Sequence, residues 1–338
     1  MRVKDASRIA AAALLCLALL GAGRAQAADK IRVGVLKPNV VTVIYWIAVK
    51  TGAFEKNGIE VEEKPFPSGQ SVAGVEQLLR GNLDVYMGAG GEAVRANSQS
   101  IVAGKPAPIA VIQGTDIGGT SILMRPEFEG KTLDQLKDQP LKIGISSPSS
   151  IHLINFRGYL AERHLTTEQM KWQLVSLEGG NMVPALLSKQ LDGFMHDALT
   201  ATLAVNAKAG FVFMNSHRGD MGDKAKTLPN TLISASRAFL KAHPDTAKRF
   251  VQALLDASKS YETEPKAKTA EIMADWTHSD PAVLASLQDR FDARVLLTRQ
   301  SADAWWEFNG ATLKARGEID DKVRFDDIFD LSYASPGK

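Results

Sequence analysis

The residues best suited to chemistry stand where strands give way to helices. Leu141, Ile143 and Ile145 alternate as a strand, and Ile151, Ile154, Tyr159 and Leu160 recur at helical spacing. Between them lie Ser146, Ser147, Pro148, Ser149 and Ser150. Proline removes a donor and forces its predecessor extended, so this stretch is a loop opening a helix. A helix N-terminus offers free N–H groups and the positive end of its dipole, which with serine hydroxyls suits an anion or polar oxygen. The same serines also suit helix capping. Three further junctions follow this pattern: Ser68-Gly69-Gln70, Gly90-Gly91 and Gly180-Asn181. Glycine lets N–H groups approach a ligand closely, and Ser, Gln and Asn add uncharged donors. Asn39 and Thr42, just past the first strand, join Ser146, Ser147, Ser149, His152, Asn181 and Asp197 as candidate ligand-binding residues.

Other chemistries find less support. The six histidines are scattered without H-E-x-x-H spacing, so no metal site is expected. His152, in the first turn of a helix, is expected to be neutral. There is no G-x-S-x-G elbow, and Ser146 and Ser149 have no evident base. Gly88-Ala89-Gly90-Gly91-Glu92-Ala93 fits a loose dinucleotide fingerprint, but Gln113 and Gly114 stand where the ribose-binding acid belongs. A ligand-facing loop is expected there, with no cofactor and no catalytic residues. Tyr45 is a further candidate for lining a crevice, whereas Trp46, Trp305 and Trp306 read as packing residues.

Arg2, Lys4 and Arg8, the apolar run from Ile9 to Gly23, and Ala25-Gln26-Ala27 read as an export signal cleaved after Ala27. Cys16, the chain's single cysteine, falls inside it, so the mature chain needs no disulfide. Removing Arg2, Lys4, Arg8, Arg24 and Asp5 takes the formal net charge from +2 to about −1. No basic excess points to nucleic acid. A chain of 338 residues can bury a large core and usually forms two domains.

The elements that must position these junctions repeat as strand, loop and helix, which predicts mostly parallel sheets flanked by helices. Leu78-Leu79 to Leu83-Asp84 and Leu186-Leu187 to Leu191-Asp192 share the pattern L-L-x-x-x-L-D at the same helix-to-strand step. Two similar α/β lobes are expected, the first over 28–115 plus 224–338 and the second over 116–223. Gly114 to Gly119 and Asn215 to Asn230 are the expected crossings, and a double connection suits a hinge-closing clamp. The helices after 244, one carrying Phe250, Val251, Leu254 and Leu255 on one face, are expected to pack on the first lobe.

Several stretches resemble a known family. They are Ala48 to Val61, with Gly52, Phe54 and Gly58; Pro67-Ser68-Gly69; Leu79 to Asp84; Lys142 to Ser147; Met182 to Leu186; Gln190 to Asp192; and Val323 to Asp330. The chain resembles the periplasmic solute-binding proteins of ABC importers in the nitrate/sulfonate/taurine group, which also contains relatives of pyrimidine-precursor enzymes. The resemblance implies a type II two-lobed clamp. It also implies an exported, monomeric, non-enzymatic protein that captures a small anionic or organic solute and delivers it to an inner-membrane permease. An enzyme of pyrimidine-precursor type is the alternative. One departure stands out: the family usually has Glu-Pro after the second L-D step, and this chain reads His196-Asp197-Ala198.

Overall fold

The structure is a computed structural model that describes residues 28–334 except 68, 118, 288–290 and 296. The expected export signal and Ser68 lie outside the described residues. The strands are β1 (Asp29–Leu36), β2 (Ile59–Phe66), β3 (Val85–Ala89), β4 (Ile109–Ile117), β5 (Thr120–Met124), β6 (Lys142–Ile145), β7 (Gln173–Ser176), β8 (Gly193–Asp197), β9 (Phe211–Asn215) and β10 (Pro229–Ser236). They form two five-stranded sheets, ordered β2-β1-β3-β10-β4 and β7-β6-β8-β5-β9. Both are flanked by helices, which makes a two-lobed α/β protein.

Each sheet is parallel except for one strand. In the first, β10 runs antiparallel to β3 and β4. In the second, β5 runs antiparallel to β8 and β9. These are the strands that arrive from the other sheet. β4 ends at Ile117, and the chain starts β5 at Thr120, opposite Asp197 at the far end of β8. A strand entering at the carboxyl rim of its neighbours has to run against them. β10 returns to the first sheet in the same way. Both crossing strands are buried along nearly their whole length, so neither has a solvent face.

The repeated L-D step has a structural cause. The Asp84 carboxylate accepts the backbone N–H of Arg32 in β1 at 2.9 Å and its guanidinium at 2.6 Å. The Asp192 carboxylate accepts the backbone N–H of Lys142 in β6 at 2.8 Å and the Arg125 guanidinium at 2.6 Å. In both lobes the aspartate ties the start of one central strand to its parallel neighbour.

The first lobe's core joins Ile31, Val33 and Val35 of β1 to the Val43–Lys50 helix and to Phe250 and Leu254 of the Pro244–Thr263 helix. Phe250 stacks on Phe54 with ring centroids 5.4 Å apart. The chain beyond Leu297 does something else. Trp305, Phe308 and Leu313 share a core with Ile154, Phe156 and Leu160 of the Ile151–Ala161 helix, and also with Val111 and Leu232 of the first sheet. A Cβ at Gly158 would lie 2.4 Å from the Phe308 ring, so glycine is what allows this close approach. The C-terminal segment therefore packs on both lobes. No helix among the described residues is long and apolar enough to cross a membrane.

Candidate functional site

A cavity of about 50 Å³ lies where the two sheets face each other. Its lining comes from the carboxyl ends of parallel strands and the loops that follow: Leu36 and Asn39 after β1, Gly69 after β2, Ser146 and Ser147 after β6, and His196 in β8. Thr231 comes from the start of β10, which is reversed and so reaches the same rim. This is the rim at which open α/β sheets gather ligands. A larger hollow of about 590 Å³ lies between the Ala198–Asn206 helix and β9. It draws on one lobe only and is mainly apolar. The inter-sheet cavity is the better candidate because polar groups from both lobes converge on it.

Among the residues singled out from sequence, Asn39, Gly69, Ser146, Ser147 and His152 line this cavity. The Asn39 side chain also accepts the Val41 N–H at 3.0 Å, which starts the turn behind β1. The others are placed elsewhere. Thr42 is fully buried and donates its hydroxyl to the Leu36 carbonyl at 2.6 Å, bracing the end of β1. Gln70 and Asn181 are exposed and outside the lining. Gly90 packs under Leu232 and Gly91 against Ile154, so both serve close packing. The Ser149 hydroxyl lies 3.2 Å from that of Ser147 and braces the loop. Asp197 caps the Ala198–Asn206 helix, accepting the Thr200 N–H at 2.7 Å. The turn thus forms without the family's proline, because the aspartate fixes the helix start instead.

Ser71, Glu92, Ser150 and Thr231 also line the cavity, although none was among the candidate ligand-binding residues. Glu92 carried one usable signal: it is an acid in the first turn of an otherwise small and apolar helix start. Thr231 carried none, because it lies on a strand whose direction periodicity does not reveal.

Beneath the cavity runs a buried polar chain. Asn155 donates to the Thr120 hydroxyl oxygen at 3.0 Å and to the Asn230 side-chain carbonyl at 2.7 Å. Thr120 Oγ1 lies 3.1 Å from His152 Nδ1. The His152 and His196 rings are 5.4 Å apart, and His196 Nδ1 lies 3.1 Å from an Asp197 carboxylate oxygen. The Thr200 hydroxyl oxygen lies 2.9 Å from the same His196 nitrogen, so His196 is tied to both Asp197 and the helix that follows. Asp116, at the end of β4, has a left-handed φ of 50° and accepts the Thr231 N–H at 2.7 Å. Both crossings are therefore bonded into the cavity floor.

Burial and the neighbouring His196 hold the His152 pKa down at about 3. Asp197 is pushed up by burial, but His196 and the Thr200 N–H outweigh this and hold it below the usual carboxylate range. Burial pushes Glu92 up, against the Ser149 hydroxyl and the Arg95 guanidinium, and pushes Asp116 up despite its bond to Thr231. These shifts predict an acid-sensitive site. Between roughly pH 6.5 and 3 the unfolded chain takes a proton at His152 that the folded chain refuses, so this group's contribution to stability falls as pH drops. Asp197 acts in the same direction at lower pH. Glu92 and Asp116 act oppositely, since the folded chain protonates them first and their contribution is lost as pH rises. The melting temperature should fall from pH 7 to pH 4.5, with a shallower slope in His152→Gln. Equal slopes in thermal scans of the two proteins would contradict this assignment.

An ionic cluster joins the C-terminal segment to helices of both lobes. Glu318, in the C-terminal segment, pairs with Arg95 of the Gly90–Val102 helix and lies 3.5 Å from Arg157 of the Ile151–Ala161 helix. Arg316 meets the same carboxylate at 2.9 Å. No lysine or arginine is among the described residues that line the cavity itself.

Comparison with known proteins agrees with this architecture. The chain is similar to the periplasmic nitrate-binding protein NrtA of Synechocystis PCC 6803, with a TM-score of 0.72 and 14% identity over 90% of this chain and 86% of that one. It is similar to the periplasmic aliphatic sulphonate binding protein SsuA of Escherichia coli, with a TM-score of 0.71 and 15% identity over 92% and 94%. At these identities the likeness establishes the fold, that of periplasmic binding proteins. In sequence it is 24% identical over 222 residues to the nitrate import ATP-binding protein NrtC of Synechococcus elongatus, 63% of this chain but only 32% of that protein. The chain thus spans about a third of the length of that relative. The NMT1-like family matches residues 24–278, three-quarters of the chain, and the chain belongs to that family.

Proposed function

We propose that this protein is the solute-binding component of an ABC importer and captures a small anionic or organic solute between its two lobes. The observation that carries the reading is the inter-sheet cavity, lined by Gly69, Ser146, Ser147, Ser150 and Asn39 at the carboxyl ends of strands from both sheets. Uncharged donors and helix-terminal N–H groups suit an oxyanion held without a salt bridge. The importer-associated proteins to which the chain is similar support the same reading. Its small free volume fits a compact solute. Binding without catalysis, export to the periplasm, delivery to an inner-membrane permease and a monomeric state belong to this proposal. So do lobes of 28–115 plus 224–338 and 116–223 that close about the two crossings. Thermal shift tests it: a cognate solute raises the melting temperature as the logarithm of its concentration over Kd. Nitrate, sulfonates, carboxylates, an uncharged sugar and a cation form the panel. Stabilisation by the sugar or the cation alone would remove the anion, and no stabilisation by any solute would remove the binding role.

A further inference from the structure

The two lobes match strand for strand, yet a groove that is filled in the first is open in the second. Met87 and Met195, each three residues past the aspartate of the L-D echo, face Ile233 of β10 and Ile122 of β5. Both crossing strands then shift register against the edge strand, which sets Val111 of β4 opposite Ser234 and Val212 of β9 opposite Leu123. The helices that follow β3 and β8, Gly90–Val102 and Ala198–Asn206, correspond as well, so Val94 and Asn97 match Thr202 and Val205.

In the first lobe the chain's own Phe325-Asp326-Asp327-Ile328-Phe329-Asp330 occupies the groove between that helix and the edge strand. Phe329 bridges Val111 in parallel, and the Asp330 N–H donates to the Val111 carbonyl at 2.9 Å. The Asn97 side chain donates to the Asp327 carbonyl at 3.0 Å. Ile328 and Phe329 share a core with Val94 and Val111, and Phe325 packs against it. In the second lobe the matching Thr202, Val205 and Val212 line the open hollow of about 590 Å³, together with Ala201 and Phe211. Val205, Phe211 and Val212 are only half-buried. The Val212 carbonyl takes a guanidinium N–H of the half-exposed Arg218 at 3.3 Å, where its counterpart takes a backbone N–H. Charge follows the same correspondence. Asp326 and Asp327 share a surface hollow with Lys105, three residues past the first helix. Lys208 stands two residues past the second helix, is exposed and makes no ion pair with any described residue.

We propose that the groove between the Ala198–Asn206 helix and β9 docks a short segment of a partner protein with the chemistry of residues 325–330: aromatic and aliphatic side chains interleaved with carboxylates. The segment lies parallel to β9, with its apolar side chains on Val205, Phe211 and Val212 and a carboxylate at Lys208. Its backbone N–H takes the Val212 carbonyl, and Arg218 swings into solvent. Main-chain bonds to an edge strand supply affinity in such a site, and the apolar groove supplies selectivity. A second copy of this chain does not supply the segment, because each copy's own is built into its first lobe. The groove is separate from the inter-sheet cavity, so the proposal does not depend on which solute that cavity takes.

A synthetic peptide with the sequence of residues 322–334 is the probe, titrated into the full exported chain with a scrambled peptide as control. The native-sequence peptide should bind saturably and at least tenfold more tightly than the scrambled one. Val205→Asp should weaken it tenfold or more. Lys208→Glu, at an exposed position that leaves folding intact, should weaken it several-fold and flatten its salt dependence. Amide exchange should show protection in residues 201–206 and 211–214 and none added in residues 94–101 and 109–113. Binding no tighter than that of the scrambled peptide, or binding unchanged in both variants, overturns the proposal. So does exposure of residues 94–101, which would mean that the peptide displaces the chain's own segment from the first lobe. A concentration-dependent dimer of the wild type, lost in Val205→Asp, would assign the groove to a second copy and overturn it as well.

Discussion

Ser147→Trp should abolish solute capture, weakening binding by at least about 100-fold, or about 3 kcal/mol. The serine lies in the loop after β6 and lines a cavity of about 50 Å³, which an indole overfills. The residue is half-buried at the rim, so the new ring has room to lie across the cavity mouth without opening the core. The ligand-free protein should keep its melting temperature to within about 0.5 kcal/mol of stability, as surface substitutions usually do. Retained affinity in a folded Ser147→Trp protein would place the solute elsewhere. The hollow beside β9 would then be the next candidate.

Asn155→Leu should have the largest effect on stability, with consequences for closure. Asn155 is 2% exposed and bonds both crossings at once, through Thr120 at the head of β5 and Asn230 in β10. Leucine has a similar shape but offers no donors. Both oxygens lose their Asn155 donor in a dry interior, at a combined cost of about 2–4 kcal/mol. For a chain of this size that corresponds to a melting temperature roughly 5–10 °C lower. His152 would also lose its support, since Thr120 Oγ1 links it to Asn155. Binding should therefore weaken even though Asn155 touches no solute. An unchanged melting temperature would mean that the chain beneath the cavity contributes nothing to coupling the lobes.

The sequence made the repeating strand, loop and helix order legible because alternation and helical spacing are local signals. The L-D echo was legible for the same reason, and Asp84 and Asp192 turn out to make equivalent bonds to Arg32 and Lys142. Strand direction was not legible. β5 and β10 are buried on both faces and carry no alternation, and only the end at which they enter their sheets reverses them. Loop composition marked the junctions but not which of them face the opposite sheet. Asn181 and Gly90 have the right residue types, yet one is in solvent and the other packs under Leu232. Thr231 reaches the cavity by long-range folding, which no local pattern encodes. The same holds for the segment after Leu297, whose aromatic residues suited a core but did not show that it spans both lobes.

The central claim is that one solute is held by both sheets at once. Amide hydrogen exchange tests it most directly, using the compound with the largest thermal shift at saturation. Protection should rise together in residues 69–71 and 90–92 of the first lobe and in residues 146–152 and 196–197 of the second. It should leave residues 211–218, beside the larger hollow, unchanged. Protection confined to one of the two lobes, or centred on residues 211–218, would contradict capture between the sheets.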